Sequence, residues 1–169
     1  TGVFVYQSFI LESKNWGDFV IAKSFMIYAI LSVATLFISG PIIDKFTSRK
    51  LLPLMNIPCL FSMLILFYFD HYISSYFLLG LMGVSNGFAN VLGSSTWAEI
   101  YGVKYLGSIK ALTSSMMVFA TAFGTAIFGI IIDFGYSIEV IAIISSVYII
   151  IANILIIFFK NQIEPVLIK

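Results

Sequence analysis

The sequence predicts an all-α, polytopic membrane protein, and three observations carry that prediction: the composition, the lengths of the uncharged runs, and the placement of the bases. Of 169 residues, 60% are hydrophobic and 10% charged, with a mean hydropathy of +1.06. Soluble domains carry about 25% charged residues, because a water-facing surface must be solvated. Uncharged runs cover residues 1–11, 24–43, 51–69, 72–98, 111–132 and 140–159. A bilayer core about 30 Å thick requires roughly 20 mainly apolar residues per spanning helix. All but the first run reach that length. In lipid each backbone group must be bonded within its own segment, so the spans are helices.

The expected spans lie at about 1–11, 19–43, 51–69, 72–97, 107–132 and 138–159, called A to F here. Span A opens as TGVFVYQSFIL, without a starting Met. It is too short to cross and lacks the basic n-region of a signal peptide. The expectation is a truncated first helix in a chain whose N-terminal part is missing. Span A contributes Tyr6 and Gln7. Span B sets Ser24, Tyr28, Ser32, Thr35 and Ser39 within an arc of about 80°. In span C, Pro53 falls in the first turn, where a missing N–H is harmless, and Pro58 is expected to bend the helix. In span D, Gly80, Gly83 and Gly87 form one stripe, which lets two backbones approach closely. Asn86, Asn90 and Trp97 lie beside it. Span E places Ser114, Thr121 and Thr125 on one face, flanked by Ala120, Ala122, Gly124 and Gly129. Spans C and F lack glycine and are rich in bulky apolar side chains.

Any single Ser or Thr in a span is explained by helix–helix hydrogen bonding. Four spans sharing small or polar faces suggest instead that A, B, D and E surround a hydrated cavity, with C and F against lipid. The expected cavity residues are Tyr6, Gln7, Tyr28, Asn86, Asn90, Ser114 and Thr121.

Assigned to the nearest span ends, Lys45, Arg49, Lys50, Lys104, Lys110, Lys160 and Lys169 fall on one side, and Lys14 and Lys23 on the other. Bases in short loops remain cytoplasmic. The B–C loop, the D–E loop and the C-terminus are therefore expected inside, with Glu12, Asp18, Asp70, Asp133 and Glu139 outside. Trp16, Tyr72 and Tyr76 at one set of boundaries and Trp97, Tyr101 and Tyr105 at the other fit interfacial anchoring. Lys23, about one turn into B, is the candidate ionisable residue for a substrate contact. It can snorkel to the outer interface or meet an anion. Cys59 has no Cys or His near it in sequence, so neither a disulfide nor a metal site is indicated, and no cofactor is expected. Asp44 and Asp133 lie at opposite faces and His71 beside Asp70 in a loop, so no intramembrane catalytic pair can be assembled. No basic run suits nucleic acid.

Residues 40–50 read GPIIDKFTSRK. This stretch resembles the G-x-x-x-D-[R/K]-x-G-x-R-[R/K] signature of the major facilitator superfamily, found between helices two and three and again, weakened, between eight and nine. Gly40, Asp44, Lys45, Arg49 and Lys50 match. Thr47 departs from the pattern where its second glycine makes a tight turn. WAEIYGVKYLGSIKAL (97–112) is similar to the helix ten to eleven connection of bacterial members, and TGVFVYQ to the outer half of helix seven. The resemblance implies the C-terminal six-helix half of that fold, with helix seven truncated. It implies a secondary transporter working by alternating access, in a bacterial inner membrane. Its partners would be the lipid bilayer, the N-terminal six-helix half, a small-molecule substrate, and a proton or counter-solute. It implies a cytoplasmic gate of Gly40, Asp44, Arg49, Lys50 and Glu99, with Asp44 against the start of span E and Glu99 paired with Arg49 or Lys50. The similarity to oxalate/formate and monocarboxylate carriers leans the substrate toward a small organic anion. Efflux of drugs or metabolites is the alternative within the family, and a half-size chain forming a dimeric channel or structural assembly lies outside it.

Overall fold

The computed structural model describes residues 1–159, with the backbone alone at Asp18. Among the described residues it is helical throughout, without strands: α1 (Gly2–Val5), α2 (Gln7–Lys14), α3 (Asp18–Phe46), α4 (Ser48–Leu51), a 3-10 turn (Leu52–Asn56), α5 (Ile57–Tyr68), α6 (Ile73–Tyr101), α7 (Leu106–Asp133) and α8 (Ile138–Phe159). Five segments are long and apolar enough to cross a bilayer: Phe19–Phe46, Ser48–Tyr68, Ile73–Tyr101, Leu106–Asp133 and Ile138–Phe159. The chain is thus an integral, multi-pass membrane protein. Lys160, Lys169 and the side on which the C-terminus emerges lie outside the described residues.

Three elements differ from expectation. Span A is two helices broken at Tyr6 (φ −97°, ψ 23°), not one truncated rod. Span C is interrupted where its prolines sit. Pro53 falls inside the 3-10 turn and Pro58 in the first turn of α5, so each opens a new segment rather than bending one helix. The B–C connector shrinks to one residue: α3 continues through Pro41, Asp44 and Lys45 to Phe46, and α4 starts at Ser48.

Packing is centred on α6, which lies against α3 along its length and also against α5; α5 in turn packs on α8. Met63 and Leu66 of α5 and Ile138, Ile141 and Ala142 of α8 are buried, joining Val3, Ile10, Trp16, Leu78 and Leu79 in the core. C and F, expected against lipid, each turn one buried face to the bundle interior and leave bulky side chains such as Phe61, Tyr148 and Ile154 exposed. In contrast, none of the residues of α7 is buried.

Candidate functional site

The stripe expected to line a cavity from α3 turns instead toward α6. Ser24 and Ser39 are fully buried, and Ser32 and Thr35 nearly so. Opposite them lie Gly80, Gly83 and Gly87. A Cβ at Gly83 would stand 2.5 Å from the Tyr28 carbonyl oxygen, and one at Gly87 would stand 2.6 Å from the Thr35 Cβ and 2.7 Å from the Ser32 carbonyl oxygen. No side chain fits there, so glycine is required by the closeness of two backbones. The Ser24 and Ser75 hydroxyls share a bond of 2.7 Å across the seam, and Asn86 Nδ2 donates to Ser32 Oγ at 3.1 Å. Internal hydroxyls of α3 also return to their own helix, as Thr35 does to the Leu31 carbonyl. Most of this stripe therefore joins helices rather than wetting a cavity.

The expected cavity residues do not come together in one place. Tyr6 and Thr121 come together, with Met117, Thr125, Ala122 and Ala126, around a hollow of about 510 Å³ at α7. Gly129 makes room for the Tyr6 hydroxyl, since a Cβ there would lie 2.5 Å from it. Asn86 and Asn90 are exposed on α6, with Asn90 Nδ2 donating to the Asn86 carbonyl at 2.9 Å. Ser114 is exposed one end-turn along α7 from this hollow. Tyr28 is half-buried with its ring edge-on to Phe4 at 5.1 Å, and Gln7 lines a separate small cleft with Trp16 and Phe25. The Gln7 Oε1 is buried there without a hydrogen-bond partner among the described residues.

At the end carrying Lys45, Arg49, Lys50 and Lys104, the signature stretch forms a clasp to α6. The Ser48 backbone N–H donates to Glu99 Oε1 at 2.9 Å, and Arg49 Nε lies 3.8 Å from Glu99 Oε2. Thr96 Oγ1 donates to the buried Ser48 Oγ at 3.1 Å. So Glu99 meets Arg49, while Lys50 is exposed. The turn itself is made by Thr47 at φ +69°, ψ 132°. That left-handed backbone is one a β-branched residue adopts only under strain, and it is the conformation a glycine would supply freely. A Cβ on Gly40 would meet nothing within 4 Å. Asp44 is exposed, without a hydrogen bond or ion pair among the described residues. Among the described residues Asp44 forms no hydrogen bond or ion pair with the first turn of α7, and α3 packs chiefly along α6.

Sequence reasoning missed a second cluster at the opposite end. Lys14 closes α2 with its side chain almost fully buried, and donates both to Asp70 and, at 2.6 Å, to Glu139 Oε1 at the start of α8. Trp16 Nε1 donates to the Asp70 backbone oxygen at 2.6 Å. Burial alone would lower the Lys14 pKa, but the two carboxylates prevail and hold it above its ordinary value. One signal was available: Lys14, Asp70 and Glu139 were all assigned to the same membrane face, where opposite charges must find partners.

The sequence profile of the Major Facilitator Superfamily matches residues 1–167. No curated protein and no solved structure matches the chain. With a match across nearly its whole length, five membrane-crossing segments and the signature stretch folded into a clasp, the chain belongs to the major facilitator superfamily of secondary transporters.

Proposed function

We propose that the chain is one six-helix half, corresponding to helices seven to twelve, of an alternating-access transporter for a small solute. The observation that carries this reading is the bare face of α7. A 28-residue membrane helix with no buried residue carries exposed Ser114 and half-buried Thr121, Gly124 and Thr125. Hydroxyls and glycines gain little from lipid tails and suit a wet cavity or a close helix partner. A second half facing α7 would enclose the hollow at Tyr6 and Thr121 and place it near the bilayer midplane, where secondary transporters bind substrate. The basic end would face the cytoplasm. There the Arg49–Glu99 clasp would hold α4 to α6, and Asp44 would reach the first turn of α7 only when the inside is closed. A carboxylate at a helix start is worth about 0.3–1 kcal/mol, enough to bias a two-state equilibrium without fixing it.

The substrate we favour is a small organic anion such as a monocarboxylate, in keeping with the sequence resemblance. Exposed Lys23 on α3 is a cation this half could offer, and the amides of Asn86 and Asn90, exposed on α6, would donate to a carboxylate. The test is uptake of radiolabelled lactate, pyruvate and formate into proteoliposomes of the full-length protein. Saturable uptake that is competed by other monocarboxylates supports the reading. Uptake unaffected by them, with transport of neutral compounds, supports the second reading, efflux of uncharged metabolites. That second reading is favoured by one observation: no charged side chain lines the hollow at Tyr6.

A further inference from the structure

The chain breaks between α1 and α2 at Tyr6, and two consecutive residues of α7 receive its ring. Phe128 lies beside it, with ring centroids 6.5 Å apart and planes at 35°. Gly129 takes its far end. A Cβ built at Gly129 would stand 2.5 Å from the Tyr6 hydroxyl oxygen, but 3.5 Å from the ring carbon that bears it. The second distance is an ordinary van der Waals contact between carbons, and the first is a clash. It is therefore the hydroxyl, and not the ring, that requires glycine at position 129.

The same hydroxyl is the unspent donor of this face. Around the hollow at Tyr6 the polar side chains are Tyr6, Thr121 and Thr125. Thr121 spends its hydroxyl hydrogen on the Met117 carbonyl at 2.6 Å, and Thr125 spends its own on the Thr121 carbonyl at 2.8 Å. Each threonine therefore offers a solute lone pairs alone. Among the described residues the Tyr6 hydroxyl makes no hydrogen bond, and its hydrogen remains to be given. We infer that Gly129 is a positioning residue: by admitting the Tyr6 hydroxyl against α7, it holds an O–H donor at the transport face for a carboxylate oxygen of a small organic anion. A solute without an acceptor oxygen would leave that hydrogen unpaired, which is how a polar site discriminates. The inference rests on the monocarboxylate reading proposed above, and adds to it a specificity-determining hydroxyl and the residue that places it.

Initial rates of radiolabelled pyruvate uptake are compared in proteoliposomes of the full-length parent, Tyr6→Phe, Gly129→Ala and the double variant. Loss of one hydrogen bond to a carboxylate raises KM roughly tenfold, so Tyr6→Phe should do this with the maximal rate kept. Gly129→Ala, which displaces the hydroxyl, should raise KM alike. The double variant should be no worse than Tyr6→Phe, because the ring without its hydroxyl clears the added methyl. A KM unmoved by Tyr6→Phe, losses that add in the double variant, or a fall in maximal rate at constant KM overturns the inference. A second comparison needs no solute. On a Cys59→Ala background, Thr121→Cys is alkylated with N-ethylmaleimide. Gly129→Ala should change the alkylation rate severalfold by swinging the Tyr6 ring, and adding Tyr6→Phe should restore it. A rate indifferent to Gly129→Ala, or a change that Tyr6→Phe does not reverse, also overturns the inference. Absence of pyruvate uptake by the parent would refute the monocarboxylate reading, and the thiol comparison then decides the placement of the hydroxyl by itself.

Discussion

α6 and α7 are near equals in sequence, 29 and 28 residues long, each with glycines and hydroxyl side chains along one face. Their fates differ. α6 buries Gly80, Gly83, Gly87, Leu92 and Thr96, among others, while α7 buries nothing. The cause lies opposite each helix. α3 brings a complementary row of Ser24, Ser32, Thr35 and Ser39 to α6, and the two backbones close on one another. Among the described residues α7 meets the short α1 with Tyr6 just beyond it, and touches α6 and α8 far less than α3 touches α6. Small residues on a membrane helix announce a close neighbour or an open space, and their pattern alone does not say which.

The largest effect separating the two helices should come from adding bulk to each. Gly83→Leu drives a side chain into the Tyr28 carbonyl, an overpacking that costs about 3 kcal/mol because backbone cannot yield. Loss of folded protein on size-exclusion chromatography in detergent is expected, whereas Ala122→Leu on α7 should elute like the parent. Next comes the cluster at the acidic end. Lys14→Met leaves two carboxylates facing each other, and because Asp70 is 79% and Glu139 36% exposed, water screens the loss to roughly 1–2 kcal/mol. Since the folded Lys14 pKa lies above its ordinary 10.5, its stabilisation is complete below that pH and is lost as pH rises through the raised value. The melting-temperature gap between parent and Lys14→Met should therefore be full at pH 8 and close in strongly alkaline buffer.

Smaller and opposite in sign is Thr47→Gly. It removes the strain of a β-branched residue at φ +69°, and should stabilise the basic-end turn by about 1 kcal/mol, read as a rise in melting temperature. The smallest structural change should come from Asp44→Asn, which has no partner to lose in this conformation. Its effect is expected in kinetics: slower transport by the full-length protein, with substrate binding unchanged.

Much of the α6 story was legible in the sequence. The 80–83–87 glycine stripe named the close approach, and the uncharged runs placed the crossing segments within a few residues. Span A and the connector at 47 were harder. Tyr6 is an ordinary helix residue by propensity, and its break follows from fitting the ring over Phe128 and Gly129 of α7, a tertiary demand. Thr47 shows the reverse. The signature called for a glycine turn, and the turn forms although the residue resists it, with Ser48 and Glu99 bonded directly beyond it. The α3 hydroxyl stripe misled because periodicity gives direction but not destination. It faced inward as expected, and what lay inward was a helix. The Lys14 cluster required knowing which helix ends are neighbours, which only the packing of α2, α5 and α8 supplies.

The measurement that most directly tests the contrast between the two helices is thiol accessibility in the full-length protein in membranes, on a Cys59→Ala background. Cysteines replace Ser114 and Thr121 on α7, and Ser24 and Ser32 at the seam. The account predicts that a charged, water-soluble methanethiosulfonate reagent modifies Ser114→Cys and Thr121→Cys and leaves Ser24→Cys and Ser32→Cys untouched. Seam positions labelled as fast as those on α7, or α7 positions reached by lipid-soluble maleimides alone, would contradict it.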